Sequence, residues 1–189
     1  DGQLAQALVL NAGRIAWRLR EKGLEQDTKT SISDVVTNAD HAAERFIATV
    51  LEGIRADDGI VGEEGARTNS TSGRNWVIDP VDGTYNFASG SDYWCSALAL
   101  VRGAAENPDE IITAAVHRPA MGYTWFSGAG LHTTRDGDEL AAINNRSLGT
   151  ACVGTYLHPT CMADEATRSA WHAVLSKACL LYTSDAADE

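Results

Sequence analysis

The sequence predicts a mixed α/β domain in which amphipathic helices pack on a sheet. Apolar residues recur at helical spacing in two stretches near the start of the chain, short apolar runs of strand type fill its middle, and Gly- and Pro-containing turns separate those runs. Because each helix has one apolar face, each is expected to lie against another element, and the strands supply that surface.

Two helices are predicted in the first third of the chain. The first covers residues 2–22 and is expected to end at Gly23. The second follows a polar stretch and runs to about Arg55, and Thr37 and Asp40 have the spacing of a capping box at its start. Its apolar face is formed by Ala43, Phe46, Ile47, Val50, Leu51 and Ile54.

The strands are predicted to form an antiparallel meander. Apolar runs typical of strands lie at residues 60–61, 76–78, 93–101, 111–117, 123–126 and 131–134. The run 93–101 is apolar at both alternating positions, which indicates a buried central strand. Pro80 is expected to turn the chain directly after a strand that ends at Asp79. A further helix is predicted over residues 163–175.

Composition narrows the possible partners and the location. The 189 residues include 26 acidic and 15 basic side chains, for a net charge of −11. A field of that sign repels nucleic-acid phosphates, so nucleic acid is not an expected partner. No apolar run reaches the ~18 residues of a membrane span, so no membrane association is expected. The N-terminus shows no secretory signal and no Cys-x-x-Cys pair is present, which favours a cytoplasmic protein with reduced thiols.

Two acidic segments carry the chemistry. One is Gly62-Glu63-Glu64, and the other is Trp76-Val-Ile-Asp79-Pro-Val-Asp82-Gly-Thr84. Both follow apolar strand-like runs, so their carboxylates are expected at strand ends. Carboxylates there suit a hard divalent cation such as Mg²⁺, and a helix start at Gly83 and Thr84 suits a phosphate. Two such ions would form the clamp used in many phosphatases.

Other interpretations of the acidic pair Asp79 and Asp82 stay open at this point. Paired acids on a loop are usually solvated surface. A calcium EF-hand loop is excluded, because the third, fifth and twelfth positions counted from Asp79 are Val81, Gly83 and Gly90. The haloacid dehalogenase phosphatases, with the motif Asp-x-Asp-Gly-Thr and a nucleophilic Asp, rank second because the spacing here is longer and a Pro intervenes.

Taken together, the motifs resemble the signature of the inositol monophosphatase family, a magnesium-dependent and lithium-sensitive phosphatase superfamily. The resemblance rests on Gly62-Glu63-Glu64, on Trp76-Val-Ile-Asp-Pro-Val-Asp-Gly-Thr-Tyr-Asn-Phe87, and on Asp34-Val-Val-Thr37-x-x-Asp40 upstream. Three separated segments agree in order and spacing, and the match runs from the first helix to about residue 150.

The resemblance implies a metal site. Glu63, Asp79 and the backbone carbonyl of Val81 would hold one Mg²⁺, and Asp79 and Asp82 would hold a second. Lys29 matches a family lysine near that site.

The resemblance also implies residues for the water and the substrate. Thr84, paired with Asp40, would help activate the attacking water. Asp82 and the backbone N–H groups of Gly83 and Thr84 would contact the substrate phosphate.

The fold and activity implied by the resemblance are those of a layered αβαβα sandwich of the sugar-phosphatase type. The expected reaction is Mg²⁺-dependent hydrolysis of a small phosphate monoester by a metal-activated water, in a homodimer. An inositol phosphate is the default substrate. Histidinol phosphate, fructose bisphosphate and 3′-phosphoadenosine 5′-phosphate are the alternatives within the superfamily.

The C-terminal part departs from the family pattern. The family's second motif, close to Trp-Asp-x-Ala-Ala-Gly, has no counterpart, and Ser184-Asp-Ala-Ala-Asp188 is only superficially similar. The sequence therefore predicts an incomplete N-terminal portion of the domain over residues 1–176 and a tail of uncertain origin over residues 177–189. An inactive, metal-binding fragment that self-associates is the non-enzymatic alternative.

Overall fold

The computed structural model describes residues 1–28, 35–143, 145, 147–155, 159–178 and 180–183. The chain divides into two compact units, Asp1–Leu140 and Ala141–Glu189. The first unit contains both helices of the predicted N-terminal pair, the main sheet and the acidic segments.

Helices α1 (Gly2–Lys22) and α2 (Asn38–Ile54) begin and end where local sequence signals place them. Gly23 follows α1 with a positive φ of 100°, which a glycine adopts without steric cost. The predicted capping box is confirmed at the start of α2: the Ala39 N–H donates to Thr37 Oγ1, and the Thr37 N–H donates to Asp40 Oδ2 at 2.9 Å.

An eight-stranded mixed sheet forms the centre of the first unit. Its strands are β3 (Gly59–Gly62), β4 (Arg67–Thr68), β5 (Arg74–Asp82), β6 (Cys95–Ala104), β7 (Asn107–Arg118), β8 (Tyr123–Gly128), β9 (Thr134–Arg135) and β10 (Asp138–Glu139), in the order β10-β9-β8-β7-β6-β5-β3-β4. The run from β5 to β9 is the predicted antiparallel meander, and β10, which was not predicted, extends it by one strand. By contrast, β3 pairs with β5 in parallel. A separate antiparallel pair, β1 (Gln26–Thr28) and β2 (Val35–Thr37), precedes α2.

The main core lies between the two helices and one face of the sheet. Trp76 and Ile78 of β5 stand opposite Leu100 and Leu98 of β6, and all four side chains are buried. They pack with Leu8, Val9, Ile47 and Leu51 from α1 and α2. Burial of these side chains is the main stabilising term for the unit. The predicted mixed α/β class is confirmed.

The strand around the second acidic motif is longer than the sequence predicts. β5 does not turn at Pro80 but continues to Asp82, with an irregular register against β6 between Asp79 and Asp82. The prediction was wrong because β3 pairs with β5 only as far as Ile78. At Pro80 no strand pairs with β5 on the β3 side, so the missing N–H of proline costs no hydrogen bond to β3. The five-residue helix α3 (Thr84–Ala88) begins directly after Gly83.

One further strand is shorter than predicted. Residues 129–131 form a turn, so β9 begins at Thr134 rather than at Leu131.

The second unit contains a parallel pair, β11 (Cys152–Thr155) with β12 (Leu180–Thr183), and the helix α4 (Glu165–Leu175). Asp164 caps α4 by accepting a hydrogen bond from the Thr167 N–H at 2.7 Å. Ser184–Asp188 lies outside the described residues, and the division of the chain at residues 176 and 177 stays a prediction. None of the helices that the structure describes combines the length and the apolar character of a membrane span.

Candidate active site

Two acidic segments meet because β3 and β5 run in parallel. Gly62 stands opposite Ile78 in the register, so the residues that follow them leave the sheet at the same edge. The Glu63 N–H donates to the Ile78 carbonyl at 3.2 Å, which brings Glu63 beside Asp79. The pairing of distant segments thus joins the two acidic motifs that were predicted to form one site.

Asp79 is the most perturbed carboxyl of this edge. Its Oδ1 atom is buried and has no hydrogen-bond partner among the described residues. The pKa of Asp79 is raised to about 8, first by burial and then by the negative charges of Glu63 and Asp82, a hydrogen bond with Glu63 and the charge of Asp40. The side chain therefore holds a proton at neutral pH in the metal-free protein.

A threonine and a buried carboxyl lie next to this pair of acids. Thr84 Oγ1 is 3.1 Å from Asp40 Oδ1 and 3.0 Å from the Val81 carbonyl oxygen. One hydroxyl proton can serve only one of these acceptors fully, and the lone pairs of Oγ1 stay available to accept a hydrogen bond. Asp40 is 1% exposed, and burial raises the pKa of its carboxyl, opposed by hydrogen bonds from Thr37 and Thr84.

Gly83 forms the sharp corner between the acids and α3. Its φ is 90° and its ψ is 43°, and an added Cβ would lie 3.1 Å from the Tyr93 carbonyl oxygen. Both conditions favour glycine. The first hydrogen bond of α3 runs from the Phe87 N–H to the Gly83 carbonyl, so the helix itself does not use the N–H groups of Gly83 and Thr84.

Glu44, which was not predicted from the sequence, positions the first acidic segment. Its side chain is 3% exposed and accepts hydrogen bonds from the Glu64 N–H at 2.7 Å and the Ala66 N–H at 2.8 Å. A Cβ at Gly62 would overlap its carboxylate. The available signal was spacing, because Glu44 follows Asp40 by one helical turn and therefore shares its inward face.

Cys95 is a second residue that the sequence left without a role. It stands opposite Asp82 in the register, and its Sγ atom is 3.5 Å from Asp82 Oδ2. Burial, followed by the charge of Asp82 and the hydrogen bond to it, raises the pKa of this thiol to about 12. The thiol is therefore protonated and donates to the carboxylate.

The donors at this edge fit a hard divalent cation. They are carboxylate and carbonyl oxygens, and the buried Oδ1 of Asp79 accepts no hydrogen bond from any described residue. Within the described ranges, no group of three or more His, Cys, Asp and Glu side chains converges closely enough to enclose a metal ion. The predicted ligands Glu63, Asp79, Val81 and Asp82 therefore stay predictions. Lys29 and Asp34 lie outside the described residues.

Several curated proteins are similar to this chain in sequence. A histidinol-phosphatase of Mycobacterium tuberculosis is 30% identical over 171 residues, which cover 84% of this chain and 63% of that protein. A fructose-1,6-bisphosphatase/inositol-1-monophosphatase of Thermotoga maritima is 33% identical over 129 residues, covering 68% of this chain and 47% of that protein. The chain thus spans about half to two thirds of the length of these curated relatives.

Structural similarity leads to the same group of proteins. The extragenic suppressor protein suhB of Bartonella henselae superimposes with a TM-score of 0.81 at 20% identity, over 96% of this chain and 69% of that one. That likeness shows the fold. The model of the inositol monophosphatase family matches residues 3–186, which is nearly the whole sequence and includes both acidic motifs. The chain belongs to the inositol monophosphatase family.

Proposed function

We propose that this chain carries the acidic and water-orienting residues of a Mg²⁺-dependent phosphatase that hydrolyses a small phosphate monoester. The observation that supports this most strongly is the buried, unpartnered Oδ1 of Asp79. It lies among acids that raise its pKa and beside the hydrogen-bonded pair of Thr84 and Asp40.

A cation is needed before a phosphate can enter this edge of the sheet. The negative charges of Glu63 and Asp82 beside Asp79 repel a phosphate group, and the whole chain is negative as well. Glu63, Asp79, the Val81 carbonyl and Asp82 would hold Mg²⁺. When bound, Mg²⁺ supplies positive charge that attracts the phosphate and polarises a water molecule.

Thr84 and Asp40 supply a route for the proton of the attacking water. Thr84 Oγ1 accepts a hydrogen bond from that water while its own proton points to Asp40 Oδ1, 3.1 Å away. As the water loses a proton to Oγ1, Oγ1 can release its proton to Asp40. The raised pKa of Asp40 makes it a stronger base than an ordinary Asp, which suits this role.

Gly83 and Thr84 would contribute backbone donors to the phosphate. Their N–H groups precede the first hydrogen bond of α3, which runs from the Phe87 N–H to the Gly83 carbonyl, so the helix does not use them. Preorganised donors of this kind stabilise charge that develops on phosphate oxygens. The role of Asp82 as a substrate contact is part of the same proposal.

The identity of the phosphate ester is the second part of the proposal. Myo-inositol 1-phosphate is the default, and histidinol phosphate, fructose 1,6-bisphosphate and 3′-phosphoadenosine 5′-phosphate are the alternatives. Three of these four classes appear in the names of the relatives described above: histidinol phosphate, fructose bisphosphate and inositol 1-phosphate. A homodimer, lithium inhibition and a cytoplasmic location stay predictions from the family.

The test is phosphate release from these four esters by the 189-residue chain, with Mg²⁺ and with EDTA. We expect release with Mg²⁺ only, and a loss of about 100-fold or more in kcat/KM in Asp82→Asn. Glu52→Gln, an exposed acid on α2, is the matched control and should leave the rate unchanged.

Three outcomes would contradict the proposal. Release that persists in EDTA, or a phosphorylated Asp79 trapped during turnover, would show a different mechanism. No release from any ester, with Mg²⁺ still bound by calorimetry, would favour the alternative of an inactive metal-binding fragment.

A further inference from the structure

Arg118, a positively charged side chain, lies at the end of β7, two strands away from Asp82 on β5. Asp82 pairs with Cys95 across β5 and β6, and Ser96 pairs with His117 across β6 and β7. Arg118, the residue after His117, therefore lies beside Cys95 at the same end of the sheet. Its positive charge acts on the Cys95 thiol, where it opposes the rise in the pKa of that thiol.

The guanidinium of Arg118 is held in place by the segment that follows α3. Its Nε donates to the Asp92 carbonyl at 3.4 Å, and its central carbon lies 4.7 Å from the centre of the Tyr93 ring. The Tyr93 carbonyl accepts a hydrogen bond from the Asn86 side chain at 3.0 Å and packs against Gly83. Arg118 therefore borders the segment that carries Asp82 and Gly83.

Arg118 also retains unused hydrogen-bonding capacity. Among the described residues its contacts are the Asp92 carbonyl and the Tyr93 ring, and no carboxylate forms an ion pair with it. Arg20 differs, because it is already bound to the Asp92 carboxylate at 3.1 Å and to the Ser91 carbonyl at 2.8 Å. The two terminal NH₂ groups of Arg118 can thus bind an anion, in the paired geometry that suits phosphate.

We propose that Arg118, resting on Tyr93, forms a subsite for a second phosphate group of the substrate. This inference rests on the proposed function and narrows its substrate class to esters that carry a phosphate at each end. Two strand spacings of ~4.8 Å separate the backbones of Asp82 and Arg118, or about 10 Å. A phosphate at the far end of a phosphorylated sugar can cover such a span. A substrate with an ammonium group at that end would be repelled.

The test compares two substrates that differ in the second phosphate. We expect Arg118→Gln to lower kcat/KM for fructose 1,6-bisphosphate about 10-fold or more, mainly through KM, because one charged hydrogen-bonded contact is lost. The kcat/KM for myo-inositol 1-phosphate should change less than about 2-fold. Arg118→Lys should lie between the parent chain and Arg118→Gln, since it keeps the charge but loses the paired donors.

Arg102→Gln is the matched control, because Arg102 is an exposed arginine of β6 that pairs with Glu110 at 3.2 Å. It should change neither rate. If Arg118→Gln lowers kcat/KM equally for both substrates, Arg118 only stabilises the site, and the proposal of a second phosphate subsite is refuted.

A failure of the proposed function can be distinguished from a failure of the subsite. If the chain hydrolyses no ester, calorimetric titration with fructose 1,6-bisphosphate still reports on Arg118. Binding that is lost in Arg118→Gln and kept in Arg102→Gln would support the subsite without the activity. Equal binding in both variants, or none in the parent chain, would overturn it.

Discussion

At the scale of single residues, Asp79 links the candidate site to the stability of the metal-free protein. Its pKa is about 8 in the folded chain, against ~3.9 for an unperturbed Asp. Between these pH values the folded state holds a proton that the unfolded state has released. Stability contributed by this group is therefore lost as the pH rises from about 4 to 8.

We expect Asp79→Asn to remove this pH dependence, because the amide is neutral throughout. At pH 8 in EDTA the variant should be more stable than the parent chain by roughly 1–3 kcal/mol, a value that allows for partial solvent screening of a half-buried group. Urea unfolding at pH 5, 6.5 and 8 measures the effect. Asp138→Asn, an exposed acid on β10, should behave like the parent chain. An Asp79→Asn variant with the parent's pH profile would show that Asp79 is ionised in the folded state.

The sequence could identify the site residues that belong to local motifs and missed those that come from elsewhere. Asp79, Asp82 and Thr84 lie within six residues of one another, so their spacing carries a signal. Glu44 and Arg118 reach the same edge through the packing of α2 and the register of β7. The spacing of Glu44 from Asp40 places both on one face of α2, but no spacing shows which distant segment Glu44 or Arg118 contacts.

At the scale of elements, Glu44 attaches the turn after β3 to α2. Its removal leaves the N–H groups of Glu64 and Ala66 without their acceptor. A solvent-open depression of about 410 Å³, lined in part by Glu44 and Glu64, borders the turn and lets water replace part of the loss. We expect Glu44→Ala to lower the free energy of unfolding by about 2 kcal/mol.

A double-mutant cycle with Gly62 tests this contact directly. In the parent chain Gly62→Ala should cost about 2 kcal/mol, because the new Cβ overlaps the Glu44 carboxylate. In the Glu44→Ala background the overlap is gone and the cost should fall by more than half. Gly53→Ala, on α2 with open space around it, is the control and should stabilise the chain by about 0.5–1 kcal/mol. Additive costs for the Glu44 and Gly62 changes would refute the contact.

Elements set by local chemistry were predictable, and those set by pairing were less so. Periodicity and caps fixed α1 and α2, since Gly23, Thr37 and Asp40 act within one turn of the helix ends. The parallel pairing of β3 with β5 depends on residues far apart in the chain. This pairing was not predicted. The predicted end of β5 at Asp79 was wrong for the same reason, because Pro80 is tolerated in the strand only where β3 has ended.

At the scale of the whole molecule, the excess of acidic residues opposes folding of the metal-free chain. A net charge of −11 implies repulsion among surface carboxylates, which salt screens over about 8 Å at physiological ionic strength. Exposed ion pairs such as Arg67–Glu106 weaken in salt, but each is worth at most ~1 kcal/mol. We therefore expect the midpoint of thermal unfolding in EDTA to rise between about 20 and 150 mM NaCl.

Mg²⁺ should raise the midpoint further than NaCl at the same ionic strength, because a bound ion stabilises the folded state beyond screening. An ion at 100 times its Kd adds about 2.7 kcal/mol if the unfolded chain does not bind it. Asp82→Asn should keep the response to NaCl and lose most of the extra response to Mg²⁺, while Asp138→Asn keeps both. Screening acts on every exposed carboxylate, whereas binding depends on the few at one edge of the sheet. Equal responses of the parent chain to the two salts would therefore mean that the acids at this edge do not act as a metal site.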